Sequence, residues 1–201
     1  MNVKSYDVPA LLGSRICHDL ISPLGAIGNG VELLAMGGMG NGAEVSLISD
    51  SVEHANARIR YFRIAFGAGS DITRIGQAEL MGVLEAFDTA GRLKVEWEVS
   101  GDVSRNEAKI AFLLLMCLEP AMPYGGTVRF YKDQSGWSVK ASGDKVKVDE
   151  DLWVLVCDPN GEVHPEIAPA QVQYILAAQY FEGVRARPEI TFGDGQINIT
   201  Y

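Results

Sequence analysis

The sequence places a histidine beside a carboxylate in a pattern that suits nucleophilic chemistry. His18 and Asp19 are adjacent, Arg15 lies one helical turn before His18, and Ser22 lies one turn after it. A neutral imidazole has one ring nitrogen that acts as a nucleophile near pH 7. A carboxylate on the other nitrogen fixes the tautomer and raises the nucleophilicity. The pattern predicts His18 as the reacting group, with Asp19 either orienting it or standing as an ordinary solvated charge.

The segment that carries these residues has the periodicity of an amphipathic helix. Apolar residues recur every three or four positions, which predicts one long helix over residues 7–36. His18 lies off the apolar stripe and shares the other face with Arg15 and Ser22. Pro23 removes one helical hydrogen bond, so it either kinks a continuous helix or separates two helices.

A second helix is predicted over residues 43–67, after a glycine-rich turn at 37–42 that makes the two helices antiparallel. Apolar residues in it are spaced by three and four, as in a coiled-coil seam: Val45, Ile48, Val52, Ala55, Ile59, Phe62 and Phe66. Two helices cannot bury such stripes alone. We expect two copies of this hairpin to form a homodimeric four-helix bundle. The alternative is that the hairpin packs against the rest of its own chain.

The remaining residues predict a mixed domain after a short linker at 67–74. Helices are predicted at 77–90, 104–118, 149–157 and 168–182, and strands at 92–99, 127–131, 137–141, 189–192 and 196–201. Glu119-Pro120 is expected to end the second of these helices. The predicted fold class is α+β, with a helical hairpin domain at 1–68 and an α/β sandwich at 75–201.

Composition and charge exclude several classes of function. The chain has 201 residues, 47% hydrophobic and 21% charged, as in a globular protein with one or two small domains. Its net charge of −9 argues against a duplex nucleic-acid binder, which needs a basic surface. The sequence lacks an apolar run of about 18 residues and a signal-peptide pattern, so we expect no membrane span and a cytoplasmic location.

The remaining cysteines and histidines are weaker candidates for chemistry. Cys17, Cys117 and Cys157 lie in apolar runs and are predicted to be reduced core residues. No Cys-x-x-Cys or His-x-x-x-His spacing predicts a metal site. His54 is expected on the surface of the second helix, and His164 lies in a loop without recognisable partner residues.

Two runs carry a family resemblance. The run from His18 to Pro23, His-Asp-Leu-Ile-Ser-Pro, resembles the phospho-acceptor box of sensor histidine kinases, usually written His-Glu/Asp-Leu-x-x-Pro. Together with the hairpin, it looks most like the bacterial ChpT-type histidine phosphotransferases. The run from Arg60 to Ala68 is similar to the Arg-Phe-Phe-Arg-Leu-Ala-Phe-Gly-Ala run of that family. The resemblance is sharp over residues 10–70 and diffuse afterwards.

The resemblance implies a relay of phosphoryl groups between receiver-domain aspartates in a two-component phosphorelay. His18 would carry the phosphoryl group, and the partners would be response regulators and the receiver domain of a hybrid histidine kinase. Arg15 would either neutralise phosphoryl charge or pair with Asp19. Ser22 would bond either the transferring group or the helix carbonyl at His18. The receiver would supply Mg²⁺, so the chain is expected to need no cofactor or metal of its own.

The order of elements in the C-terminal half resembles the ATP-binding domain of histidine kinases, but the nucleotide boxes are missing. Residues 116–119 offer no asparagine for Mg²⁺, and Ser142-Gly143-Asp144-Lys145 stands where an Asp-x-Gly-x-Gly box is expected. Gly125-Gly126 and Gly193-Asp194-Gly195 are interpreted as strand turns. Phosphate binding relies on glycine-rich loops with accessible N–H groups, so we expect that ATP does not bind.

Three functional hypotheses remain open at this level. The first is a dimeric phosphotransferase, the second a dimeric module that binds receiver domains without transferring phosphate, and the third an ATP-dependent kinase. The intact box around His18 argues against the second hypothesis. The missing glycine boxes argue against the third.

Overall fold

The computed structural model describes residues 6–37, 42–90, 93–161 and 165–201. The helices are α1 (Val8–Gly37), α2 (Ala43–Ala65), α3 (Gln77–Ala90), α4 (Arg105–Ala121), α5 (Glu150–Cys157) and α6 (Val172–Val184). The strands are β1 (Arg74–Ile75), β2 (Leu93–Trp97), β3 (Val103–Ser104), β4 (Gly126–Asp133), β5 (Gly136–Ser142), β6 (Glu189–Gly193) and β7 (Gln196–Thr200). The predicted α+β class is confirmed. Most of the predicted glycine turn, and the start of the strand predicted from 92, lie outside the described residues.

Helix α1 is one continuous helix through Pro23, so this proline does not separate two helices. The Asp7 carboxylate accepts a hydrogen bond from the backbone N–H of Ala10 over 3.1 Å and so caps the first turn. Near the other end, a Cβ atom on Gly30 would lie 2.5 Å from a side-chain carbon of Ile48. The missing side chain at this buried glycine therefore allows α1 and α2 to approach closely.

The C-terminal half is built on a five-stranded mixed sheet in the order β2-β4-β5-β7-β6. Strands β2 and β4 are parallel and the other neighbours are antiparallel. One face of the sheet carries the core residues Val128, Phe130, Val139, Ala141, Ile197 and Ile199. The predicted hairpin across Gly193-Asp194-Gly195 is confirmed as the β6–β7 connection. A small antiparallel pair, β1 with β3, was not predicted, and β1 begins at the last residue of the predicted linker.

Helix α4 forms the centre of the core, with every residue from Ile110 to Leu118 buried. The expectation that Glu119-Pro120 ends this helix is wrong, because α4 continues to Ala121. Proline lacks an N–H, so Pro120 leaves the Met116 carbonyl without its helical donor. The Gln173 side chain donates to that carbonyl over 3.3 Å. This bond from α6 satisfies the carbonyl and allows one further turn of helix.

The last turns of α2 belong to the same core as the sheet. Tyr61, Phe62, Ile64 and Ala65 are buried in one hydrophobic cluster with α3 and α4. The Tyr61 hydroxyl donates to the Phe112 carbonyl over 2.7 Å. The division of the chain at residues 68–75 therefore stays a prediction, since the two halves share packing across it.

The first turns of α1 also contact the C-terminal half. The Tyr6 hydroxyl donates to the Pro165 carbonyl over 2.8 Å. A small second cluster joins these turns to α5 and α6, and its members are Tyr6, Val8, Leu11, Leu155, Ile167, Ile175 and Ala178. Within the part of the chain that the structure describes, no helix is long and apolar enough to cross a membrane.

Candidate functional site

His18 projects from the middle of α1 into solvent. Its side chain is 84% exposed, in agreement with its predicted position off the apolar stripe. Because a helix fixes the direction of each Cα–Cβ bond, His18 is held on a rigid element although its ring is open to solvent. A second macromolecule can therefore reach the ring without any rearrangement of the backbone.

Asp19 contacts the His18 ring directly. One carboxylate oxygen, Oδ1, lies 3.1 Å from His18 Nδ1. A carboxylate at neutral pH can only accept, so Nδ1 is assigned as the donor in this pair, and in the neutral ring the lone pair then lies on Nε2. The Asp19 side chain is only 10% exposed, so the interpretation as a freely solvated charge does not describe it.

Two arginines hold the second oxygen of Asp19. Arg15 Nε lies 2.9 Å from Oδ2, and an Arg58 nitrogen lies 3.9 Å from the same atom. Of the two roles left open for Arg15, the structure places it in the pair with Asp19, where its side chain is 12% exposed. Arg58 was missed because it comes from α2, and only the register of the hairpin brings it beside Asp19.

Arg15 also reaches the C-terminal half of the chain. Its Nη1 donates to the Ala170 carbonyl over 2.7 Å. Ala170 lies in a 3₁₀ turn, Pro169–Gln171, which replaces the first turn of the helix predicted at 168–182. The sequence carried no signal for this contact, because a main-chain carbonyl is present at every residue.

The surface around His18 is mostly small or apolar. Ser22 is exposed one turn beyond His18. Ile21 and Leu24 are 67% and 59% exposed, and a Cβ atom on Gly25 would meet nothing within 4 Å. The structure thus brings His18, Asp19 and Arg15 into one hydrogen-bonded chain, and leaves Ser22 on the open surface beside it.

The other histidines and the cysteines take no part in this chain of contacts among the described residues. His54 is exposed on α2, as expected, and His164 lies outside the described residues. Cys117 is buried, and Cys157 is partly buried. The prediction that all three cysteines are core residues is wrong for Cys17, which is exposed. Cys17 borders the apolar stripe of α1, but only its neighbour Ile16 packs against the main hydrophobic core, and the Cys17 side chain stays in solvent.

The three glycine loops that were compared with nucleotide boxes meet at one end of the sheet. They line an open cavity of about 480 Å³ together with Asp144 and Asp194. A Cβ atom on Gly126 would lie 2.3 Å from the Ser142 carbonyl oxygen, and one on Gly143 would lie 2.6 Å from the Gly125 carbonyl oxygen. The glycines are therefore needed where one backbone passes close to another.

Comparison with known proteins identifies the family. Residues 77–187 match the family described as the histidine phosphotransferase C-terminal domain. This match spans more than half of the chain, so the chain belongs to the histidine phosphotransferase family, as the resemblance to ChpT-type proteins implied.

Two individual relatives agree with this assignment. The protein phosphotransferase ChpT of Brucella abortus (strain 2308) is 38% identical over 130 residues, which cover 64% of this chain and 62% of that protein. The chain thus matches less than two thirds of the length of this curated relative. A solved structure of a bacterial phosphotransferase superposes over 97% of this chain and 95% of its own, with a TM-score of 0.77 and 28% identity.

Proposed function

We propose that this chain is a histidine phosphotransferase that relays a phosphoryl group between the aspartates of receiver domains. The observation that carries the proposal is the environment of His18. Its ring is exposed on a rigid helix, and the Asp19 contact at Nδ1 leaves Nε2 as the nucleophile. Phosphoryl transfer requires mainly in-line positioning and charge neutralisation, and a receiver domain brings its own Mg²⁺.

The proposed transfer is a balanced exchange of one bond for another. The lone pair on His18 Nε2 attacks phosphorus while the bond from phosphorus to the aspartyl oxygen of the receiver breaks. The receiver carboxylate leaves with the electron pair. The hydrogen on Nδ1 remains in its bond to Asp19, where the carboxylate stabilises the positive charge that develops on the ring. Transfer to the next receiver is the same step in reverse.

The homodimer is part of this proposal. Val45, Val52 and Ile59 recur at heptad spacing on α2 and are 55%, 40% and 50% exposed in the single chain. Between them, Ile48 is partly buried and Ala55 is buried within the chain. Such a repeating apolar stripe supports a four-helix bundle from two hairpins.

The proposed partners are receiver domains, which would contact α1 around His18. The exposed apolar side chains of Ile21 and Leu24 suit the centre of a protein interface. We place this encounter in the cytoplasm. The three described cysteines are all free, as is usual in a reducing compartment.

We further propose that the C-terminal half does not bind ATP. The cavity at the end of the sheet is lined by two carboxylates, Asp144 and Asp194, which would repel phosphates. Calorimetry with ATP and Mg²⁺ at sub-millimolar concentration is expected to give no binding heat. A saturable heat would overturn this part of the proposal.

The test of the main proposal uses a purified receiver domain labelled on its aspartate. We expect the label to pass to the wild-type chain as an acid-labile, base-stable phosphate, and to be absent from His18→Ala. His54→Ala removes another exposed histidine and is expected to accept the label normally. If the receiver binds but no label is transferred, the chain is a dimeric binding module. If His18→Ala still accepts label, the site is misassigned.

A further inference from the structure

The Arg15 guanidinium joins two parts of the chain that are distant in sequence. Its Nε lies 2.9 Å from Asp19 Oδ2, and its Nη1 lies 2.7 Å from the Ala170 carbonyl oxygen. The guanidinium is planar and its donors diverge at fixed angles, so two such bonds determine the orientation of the whole group. With its side chain only 12% exposed, Arg15 is a link between α1 and the C-terminal half and not a surface charge.

The C-terminal end of this link is itself held in place. The 3₁₀ turn Pro169–Gln171 is closed by a bond from the Gln171 N–H to the Ala168 carbonyl over 2.8 Å. The Gln171 side chain also accepts from the Ala168 N–H over 3.0 Å. Both bonds lie within the C-terminal half, and they restrain the direction of the Ala170 carbonyl.

The two oxygens of Asp19 have separate partners. Oδ2 is bound by Arg15, while Oδ1 lies 3.1 Å from His18 Nδ1. Arg58 lies farther from Oδ2, at 3.9 Å, so Arg15 makes the shorter of the two arginine contacts. Since both oxygens belong to one planar carboxylate, the bond from Arg15 restrains where Oδ1 lies. His18 is 84% exposed, so little packing restrains its ring and the bond to Asp19 is its main restraint.

We propose that Arg15 is a positioning residue through which the C-terminal half sets the tautomer of His18. The path runs from the Ala170 carbonyl to Arg15, then to Asp19 and to Nδ1 of the imidazole. Histidines that act on metals or substrates commonly depend on such outer partners for their tautomer. This inference rests on the proposed function, and it assigns the C-terminal half a role that needs no nucleotide.

A second contact keeps the same loop against α1. The Tyr6 hydroxyl donates to the Pro165 carbonyl over 2.8 Å, three helical turns before His18. The apolar cluster of Val8 and Leu11 with Leu155, Ile175 and Ala178 reinforces this docking. The loop that carries Ala170 is therefore attached to α1 on its N-terminal side even when Arg15 is replaced.

The test reads the His18 tautomer in the unphosphorylated, full-length protein by the ¹⁵N chemical shifts of Nδ1 and Nε2. We expect the wild type to hold hydrogen on Nδ1. Arg15→Met keeps the apolar stem of the side chain and removes both bonds. It should shift the population toward the Nε2–H form, which an unrestrained histidine prefers, and slow transfer about tenfold, as for other outer partners of histidine.

Gln171→Leu tests the path from its far end, because it loosens the turn that carries Ala170 without touching Asp19. It should shift the tautomer in the same direction as Arg15→Met. Gln179→Leu on α6 is the matched control for the change from glutamine to leucine. Glu119→Gln is the control for charge, because it removes a carboxylate from the cavity that Arg15 and Ala170 line. Both controls are expected to keep the wild-type shifts.

A merely structural role for Arg15 predicts a different outcome. Arg15→Met would then lower the midpoint of thermal unfolding but leave the ring nitrogens unchanged. That result, or unchanged shifts in both Arg15→Met and Gln171→Leu, would overturn the proposal. The tautomer is read without any partner, so a wild type that never accepts phosphate would refute the proposed function separately.

Discussion

The side-chain amide of Gln173 donates to the main-chain carbonyl of Met116, over 3.3 Å within the core. This carbonyl is the acceptor that Pro120 leaves unpaired in α4. The Gln173 side chain on α6 therefore replaces the hydrogen bond that is lost at Pro120. Without it, we expect the central helix to end about one turn earlier. Gln173 is 1% exposed, so this pair lies away from bulk solvent.

A double-mutant cycle should reveal this compensation. Gln173→Leu should lower the free energy of unfolding by about 1–3 kcal/mol, because it leaves a buried carbonyl unsatisfied. In a Pro120→Ala background the carbonyl regains its helical donor, so the same substitution should cost about 1 kcal/mol less. Urea denaturation of the four proteins measures the coupling. Equal costs in both backgrounds would show that Pro120 and Gln173 are independent.

The exposed heptad stripe of α2 predicts the oligomeric state. The chain has a mass of 21.8 kDa, and light scattering should report twice that for the wild type. Val52→Asp places a charge in the proposed interface and should give the single-chain mass. Val184→Asp, at a 50% exposed valine on α6, is the control and should stay dimeric. A wild type that is monomeric at micromolar concentration would refute the dimer.

Glu107 should make stability depend on acid pH. Partial burial raises the pKa of Glu107, but the hydrogen bonds from Lys132 and Ser104 lower it by more. The net effect is a pKa of about 2, below the ordinary value of 4.5. Because the pKa of Glu107 is lower in the folded state, its carboxylate contributes fully to the free energy of unfolding above pH 4.5. This contribution is lost as the pH falls toward 2.

The measurement compares Glu107→Gln with the wild type by urea denaturation at pH 7 and pH 3. The variant should be clearly less stable at pH 7, and the difference should narrow at pH 3. Glu189→Gln, at an exposed carboxylate on β6, should differ little from the wild type at either pH. If the stability difference between Glu107→Gln and the wild type were the same at both pH values, the charge of Glu107 would not contribute to stability.

Gly67, at the end of the second resemblance run, should tolerate no side chain. A Cβ atom there would lie 2.2 Å from the Arg63 carbonyl oxygen. This oxygen belongs to the main chain, so it cannot move aside as the end of a flexible side chain could. Gly67→Ala should lower the free energy of unfolding by about 1–3 kcal/mol, as other overpacked sites do. Gly183→Ala, where a Cβ meets nothing within 4 Å, should be stabilising by about 0.5–1 kcal/mol because it lies within α6. Thermal unfolding of both variants checks the contrast.

The second resemblance run acquires a physical meaning in the structure. Tyr61, Phe62, Ile64 and Ala65 are buried against the C-terminal half, and Gly67 passes close to the preceding turn. The run is thus where the hairpin joins the sheet domain. The resemblance identifies the run, but only the packing shows that its buried residues lie at the junction with the C-terminal half.

The sequence by itself determined the local elements and the exposed position of the candidate histidine. Helical spacing depends on residues within one or two turns, so the extent of α1, its capping by Asp7 and the outward position of His18 were all predictable. The glycine turn between β6 and β7 was predictable for the same reason, since turn residues act on their own backbone.

Only the tertiary structure decided which groups surround Asp19 and how α4 ends. The acceptor for Arg15 is the main-chain carbonyl of Ala170, and the donor for Met116 is a glutamine on another helix. Main-chain groups carry no residue-specific signature, and long-range partners depend on how elements pack. The same reason explains Cys17: an apolar sequence context predicts burial, but exposure depends on which surfaces the rest of the chain covers.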